Sequence, residues 1–466
     1  MHCLHRPGVP GKTPIKAAWQ NTPASDHDLP GAHVVKKVFA TGLILVCVAL
    51  SAGVRADDLP ADAGADDLPA EASAHELPGG QCLACHLTTE DGVAELWQDD
   101  VHARAGIGCE TCHGGDPAQD DSDRAKRSGT GYRGAFSAKE IVLSCGGCHA
   151  DVEYMKVRKP LLPVDQLDKY WTSEHGKLLV KGEMRVAQCA SCHGAHGVRE
   201  VNDAKSPAYA SNVPGTCGHC HADAEYMSDF DIKTNQYEEY VQSVHGKALL
   251  EKNDVRGAPA CNDCHGNHGA APPSIDAITN ICGTCHSYNA ELFLGSPLAP
   301  AFKEKSLADC VACHGKHLIR HTRDEWEGDK PGATCRKCHE DGEEGSELAL
   351  YFTDTFGSVR QSFEEIEELL GEAEVKGMDV TEGEDYVEAA RQGLMQARTL
   401  IHSFSKPVME EKLIEITENQ AAALEVGFGA LRALKDRRRG LAISTLLLLL
   451  LTLLVAIKIR TLPPLD

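Results

Sequence analysis

Eighteen of the 20 cysteines fall in a single pentad, Cys-x-x-Cys-His, which is written nine times. The nine are Cys82/Cys85/His86, Cys109/Cys112/His113, Cys145/Cys148/His149, Cys189/Cys192/His193, Cys217/Cys220/His221, Cys261/Cys264/His265, Cys282/Cys285/His286, Cys310/Cys313/His314 and Cys335/Cys338/His339. Two thiols separated by two residues lie one turn of chain apart. That places both within reach of the vinyl groups of one haem, to which they add as thioethers, and the adjacent histidine then points at the iron. The expectation is nine covalently bound haem c groups with nine proximal ligands. One pentad alone can arise by chance or hold zinc. Nine of them, with every cysteine pair followed at once by histidine, leave zinc a remote alternative. Cys3 and Cys47 are left over, and both lie in an N-terminal segment expected to be removed, so no disulfide is expected.

The far side of each iron decides between electron transfer and chemistry. An iron held by histidine on both sides exchanges electrons, whereas one with an open side can bind and convert a substrate. Ten further histidines lie beyond the leader. His196, His268 and His317 follow pentads as Cys-His-Gly-x-His. Three residues after a proximal histidine they share its face on a helical turn and cannot reach the opposite side of the same iron, so each is expected to serve a neighbouring haem. His102 precedes Cys109 by seven residues, and His75 precedes Cys82 by the same spacing. His175 and His245 stand in Ser-x-His-Gly-Lys strings ahead of Cys189 and Cys261. An isolated histidine is more often a surface residue than a ligand, but recurrence at repeated offsets makes these seven the expected distal set. The other three are weaker. His219 sits between the cysteines of its own pentad and reads as exposed, His321 trails the CHGKH string, and His402 flanks an apolar stripe far downstream. The fourth repeat departs from the pattern, reading SPLAP with Leu298 where histidine belongs. One or two haems are therefore expected to lack a distal histidine.

The elements that hold these residues repeat. One copy runs from Tyr170 to Met227, the next from Tyr240 to His286, a partial earlier one from Trp97 to Met155, and a fourth ends at His339. The plan is one lone haem followed by four two-haem units. The expected fold is mainly α with extensive irregular coil: a haem-packed cytochrome domain, a C-terminal helical bundle and one transmembrane helix. The divisions are a signal peptide with an artefactual upstream extension (1–56), a flexible lead (57–80), the nine-haem domain (81–343), a helical region (344–436) and the membrane anchor (441–459). In the helical region, Phe352, Phe356, Val359, Phe363, Ile366 and Leu370 alternate steps of four and three and so share one face. Val387, Ala390, Leu394, Ala397 and Ile401 form a second stripe, and Leu413, Ile416, Leu424, Phe428 and Leu431 a looser third. Gly371, Gly377 and Gly383 are expected to break the first helix from the second. Pro407 suits the first turn of the third, which is free to run on through Gly440.

Residues 36–56 have the plan of a secretory signal, with Lys36 and Lys37, an apolar run from Phe39 to Leu50 and small residues at Val54 and Ala56 before Asp57. An uncleaved anchor is the alternative. Leu441 to Ile459 carries no charge before Lys458 and is long enough for one crossing, for which roughly 20 residues are needed. The haem domain is then expected on the periplasmic side of a bacterial inner membrane, although Arg437, Arg438 and Arg439 would lie outside against the usual charge bias. The formal net charge of −23 argues against nucleic acid and favours partners with a basic face. Only 5% of residues are aromatic, so macrocycles are expected to fill the interior.

The doubled pentads with CHGxH and SxHGK resemble the periplasmic multihaem cytochromes of anaerobic and metal- or nitrogen-respiring bacteria, including cytochrome c3-like chains. This resemblance covers Cys82 to His339. Helices behind the haems and a terminal span also resemble the octahaem hydroxylamine oxidoreductase-like group, which implies a catalytic five-coordinate haem. Three functions follow as expectations. The first is a membrane-anchored electron carrier between a quinol-oxidising membrane subunit and periplasmic redox partners. The second is an oxidoreductase acting on a small nitrogen or sulfur compound at one open haem, its catalytic residues unassigned. The third is a quinol dehydrogenase in its own right, disfavoured because one membrane helix leaves little room for a quinone.

Overall fold

The computed structural model describes residues 79–322 and 332–461. The expected signal peptide, His75 and all of the lead but its last two residues lie outside the described residues. The lead as drawn extends one residue too far, because Gly80 already opens the first helix, Gly80–His86. The described chain is mainly helical, and no strand occurs among the described residues.

Up to His339 the helices are short, and the pentads dictate where most of them stop. Four pentads form or end helices of five or six residues: Cys109–His113, Cys189–His193, Cys261–His265 and Asp309–His314. Each is closed by the glycine that follows its histidine, and all four glycines have positive φ, from 66° to 84°. An L side chain disfavours that conformation, which is why these pentads continue as Cys-His-Gly. Two of the alternate pentads end longer helices, Ala138–His149 and Val213–His221, the former opened by a reciprocal cap between Ser137 and Glu140.

The Ser-x-His-Gly strings form a sharp joint between two helices. Gln166–Thr172 meets Glu174–Val180 at Ser173, and Gln236–Gln242 meets Val244–Leu250 at Ser243. The Ser173 hydroxyl donates to the Tyr170 carbonyl (2.6 Å) and accepts from the Gly176 N–H (2.9 Å). Ser243 does the same with Tyr240 (2.6 Å) and Gly246 (3.0 Å). A Cβ on Gly176 would sit 2.1 Å from the Tyr170 carbonyl oxygen, so the joint closes only over glycine. The Tyr170 and Tyr240 hydroxyls donate to the carbonyls of Ala187 and Pro259, tying each joint to the loop before the next pentad. Apolar packing here is sparse. Val142, Tyr170, Leu179 and Val186 make one small cluster, and Leu249, Ala258 and Ala260 another.

Beyond His339 the chain becomes a three-helix bundle: Glu344–Val375, Thr381–Leu400 and Lys406–Thr461. All six residues of the first stripe are buried, as are Val387, Ala390, Leu394 and Ala397 of the second. Of the third stripe, Ile416 is buried and Leu413, Leu424 and Leu431 pack against the core, and only Phe428 falls off that face. Met409, Ile416, Gln420, Ala423, Gly427 and Ala430 are buried, while Phe428 is 51% exposed. The cause is close approach: a Cβ on Gly427 would lie 2.7 Å from the Leu369 side chain, leaving no room for an aromatic ring on that face. The glycine breaks also need correction. Gly371 and Gly383 are inside helices, and only Gly377, with φ of 79°, lies in the turn. Pro407 is the second residue of the third helix. That helix runs without interruption through Arg437–Gly440, and its final stretch is apolar, with mean hydropathy 2.7, and wholly exposed. By length and composition it is a candidate membrane span.

Candidate haem-binding array

Seven of the nine proximal histidines each face a second imidazole. The pairs are His102–His149 (6.2 Å between ring centres), His113–His196 (6.0 Å), His175–His221 (6.1 Å), His193–His268 (6.1 Å), His245–His286 (6.3 Å), His265–His317 (6.0 Å) and His314–His402 (6.0 Å). An imidazole nitrogen meets a transition metal at about 2 Å, and about 1.1 Å more separates nitrogen from ring centre, so two rings across one metal stand about 6.3 Å apart. Direct stacking would bring rings closer than this. The spacing fits an iron held between two histidines, and the thiols beside one ring of each pair fit a c-type haem.

The pairing follows a rule. The later pentad of a unit takes its partner from the joint at the start of that same unit: His149 with His102, His221 with His175, His286 with His245. The earlier pentad takes the CHGxH histidine of the next unit: His113 with His196, His193 with His268, His265 with His317. Successive units therefore interlock. Six of the seven expected distal histidines are brought opposite a proximal one, and the seventh, His75, lies outside the described residues.

His402 completes the rule in an unexpected way. His314 has no following unit to supply a CHGxH histidine, and His402, from a single 3₁₀ turn after the second bundle helix, takes that place. Its Nδ1–H donates to the Thr399 carbonyl at 2.9 Å, which leaves Nε2 for the metal. Sequence reasoning ranked this residue low because no repeated offset leads to it. His219 is exposed, and His321 is exposed with Nδ1 on the Thr322 carbonyl. Neither faces a proximal ring.

The ring nitrogens remote from the metal are tied down elsewhere too. His113 and His265 place Nδ1 on the carbonyls of Gly134 (2.9 Å) and Ala271 (3.1 Å). His102 is different, because its Nδ1 meets a carboxylate, Asp100 Oδ1, at 2.8 Å. Asp100 is 1% exposed and stands where the other joints have serine, accepting also from the backbone N–H groups of His102 and Val198. Burial works against its ionisation, but these bonds outweigh burial and hold its carboxyl below the usual range. The same carboxylate holds the His102 imidazole above its ordinary value. Burial pushes His149, His175, His193, His196, His221, His245, His268, His314, His317 and His402 down, toward the neutral form that binds a metal.

The cysteines set the order in space. None of the eighteen is bridged. Cys145 and Cys189 lie within thiol hydrogen-bonding reach, as do Cys217 and Cys261, and Cys282 and Cys310. Electrostatic neighbours join the rest: Cys82 with Cys109, Cys112 with Cys145, Cys192 with Cys217, Cys264 with Cys285, and Cys313 with Cys338. Every pentad thus adjoins the next one in the sequence. Burial pushes the thiol of Cys109, half-buried beside Cys82, up to about 11, so that site lies in a partly desolvated interior.

Not every expected attachment thiol shares that interior, and Cys85 and Cys148 depart from it in different ways. Cys85 is exposed one residue before the end of Gly80–His86, where its neighbour is Cys82 of its own pentad and its carbonyl accepts from the Thr88 hydroxyl at 2.7 Å. The same pattern recurs along the array, where Cys112, Cys192, Cys264, Cys285 and Cys338 are also exposed beside a half-buried first cysteine. Cys148 is half-buried near the end of Ala138–His149 and lies, with Cys145, beside Cys112. It thus joins the contact between the second and third pentads. Cys220 is half-buried, with the Tyr226 hydroxyl bonded to its sulfur. The macrocycles expected to fill the interior accordingly meet solvent at the exposed second cysteines.

Two pentads stand apart. Among the described residues neither His86 nor His339 has a second imidazole facing it. His86 Nδ1 bonds Asp91 (3.0 Å) and His339 Nδ1 approaches Glu343 (3.3 Å). In the fourth unit the joint is built as in the others. Ser296 donates to the Phe293 carbonyl (2.7 Å) and accepts from the N–H of Leu298 (3.2 Å), so Leu298 holds the register of His175 and His245.

Residues 101–222 match the cytochrome c3 family model, and residues 63–114 match the model of cytochrome c554 and c-prime. The chain is a multihaem c-type cytochrome. It is 24% identical over 217 residues to the multiheme cytochrome MtrA of Shewanella baltica, a match covering 45% of this cytochrome and 52% of that relative. This cytochrome thus spans about half the length of the curated relative it matches. Haem binding and electron transfer are the properties of the family, and the apolar end of the third bundle helix is its candidate anchor.

Proposed function

We propose that this cytochrome carries nine haems and conducts electrons along them between a quinol-linked membrane partner and a periplasmic acceptor. The observation that carries this reading is the set of seven imidazole pairs at 6.0–6.3 Å, arranged over an unbroken succession of adjoining cysteine pairs. The haems, once bound, supply reversible one-electron chemistry at iron. The protein's own residues do the rest. The thioether cysteines, from Cys82 and Cys85 through Cys145 and Cys148 to Cys335 and Cys338, fix each macrocycle against its neighbour. The paired histidines close both sides of the iron against substrates. The Nδ1 bonds of His102, His113, His265 and His402 hold those imidazoles in the tautomer that presents Nε2. The membrane helix keeps the array on one face of the bilayer, on the periplasmic side, where a c-type cytochrome resides.

The test is a haem assay on the purified membrane protein together with low-temperature electron paramagnetic resonance. Nine haems per chain with at least seven low-spin centres are expected. A spectrum in which most haems are high-spin when oxidised removes the reading. Reduction of all haems by a quinol in membranes containing a quinol-oxidising subunit, and not by the cytochrome alone, tests the partner.

A second reading, oxidoreductase chemistry on a small nitrogen or sulfur compound, is favoured by one observation: Leu298 occupies the joint position that elsewhere carries a distal histidine.

A further inference from the structure

The four joints are equivalent parts. Each has a buried capping side chain, and two residues later comes the position that faces the later pentad of its unit. The pairs are Asp100 and His102, Ser173 and His175, Ser243 and His245, Ser296 and Leu298. The first three put an imidazole 6.1–6.3 Å from the proximal ring they face. The fourth keeps a buried serine between a helix before it (Ser287–Leu294) and a helix after it (Leu298–Glu304), with Pro297 and Ala299 flanking the leucine that stands in the ligand position. The later pentad of that unit is Cys335/Cys338/His339. Lys305, just past the joint's second helix, is an electrostatic neighbour of Glu343, whose carboxylate approaches His339. That places the end of the joint's second helix on the side of this pentad, in keeping with the rule. On the proximal side, Gly345 lies against the face of the His339 ring, where a Cβ would sit 2.5 Å from Nε2, so that packing admits only glycine.

We propose that the haem held by Cys335, Cys338 and His339 has no protein ligand on its distal face, and that this face, presented by Leu298, binds a small neutral diatomic ligand such as carbon monoxide or nitric oxide. The inference rests on the reading of the pentads as haem sites and deepens it. The class of ligand follows from the side chain. Leucine donates no hydrogen bond, so an anion or a bound peroxide gains nothing from it, whereas a diatomic that bonds through the metal needs only space and an apolar wall. The site differs from the two Ser-x-His-Gly joints at the ligand position and at its neighbours, Pro297 and Ala299. The fold there has been kept while the sixth ligand has been given up.

The experiment uses the full-length holoprotein, reduced with dithionite and titrated with carbon monoxide. Binding is read from the Soret band and counted against total haem. The wild type is expected to bind carbon monoxide at this haem, with a matching high-spin signal when oxidised. Leu298→His is expected to lose one equivalent of carbon monoxide and to convert one high-spin centre to low spin, with total haem unchanged. A second variant, with Cys335→Ala and Cys338→Ala, covers the case in which Leu298→His folds poorly. It is expected to lose one haem and the same single equivalent. Wild-type protein that binds no carbon monoxide overturns the proposal, as does either variant that binds as many equivalents as the wild type. The electron-relay reading survives that outcome, because it rests on the seven paired sites, and it fails only if those sites prove high-spin.

Discussion

The two halves of the chain bury different things. The bundle builds a continuous interior from Phe352, Phe356, Phe363, Ile366, Leu394 and Ile416, on helices of 20 residues or more. The array has only small apolar clusters of three or four buried residues, on helices of 4 to 12 residues. Isolated helices of that length are marginal in water. Cysteines and histidines occupy the places that apolar side chains hold in the bundle. One half folds around its own side chains, and the other is shaped to close around a cofactor.

The strongest way to break this comparison is to withhold haem. When the full chain is produced without haem attachment, limited proteolysis followed by mass spectrometry should degrade the segment before residue 344 and spare the bundle. Equal survival of both halves would show that the array has a core of its own. Next in size, Phe356→Ala should cost about 3–5 kcal/mol, as deletion of a fully buried aromatic does. Thermal melting followed by helix content should register that loss, while the low-spin haem signals of the first three units stay unchanged. A smaller and more local effect is expected from His402→Ala, which removes the histidine that joins the two halves. One low-spin centre should become high-spin, and the melting of the bundle should move little.

The smallest effect sharpens the comparison within the array. A carboxylate on the remote nitrogen makes an imidazole a stronger donor and favours ferric iron. Asp100→Asn should therefore raise the midpoint potential of the haem on His149, read by redox titration, and leave the other six paired haems in place. The sign with pH follows from the depressed carboxyl of Asp100. The difference between wild type and variant is present at neutral pH and disappears only as the pH falls through that lowered value.

The pentads, the mainly helical architecture and the apolar stripes of the first two bundle helices were legible because each is a local pattern. His196, His268 and His317 were legible as partners of some other haem because geometry forbids their own. Which haem each one meets was not legible, since that depends on how the units stack. His402 was missed for a related reason: it reaches His314 across 88 residues of sequence and repeats nothing. The signal available was a vacancy, since the last CHGxH pentad has no successor to supply its partner. Phe428 misled because a periodic stripe reports which residues are apolar and does not report how closely two helices approach.

The third bundle helix is one rod of 56 residues, about 84 Å long, of which a crossing uses about 30 Å. Were its apolar end to cross a bilayer, the remainder would stand above the surface with no joint there. A span tilting to match a thinner bilayer would then lean the bundle with it, and bilayer thickness would become a mechanical setting for the bundle and for His402 at its end.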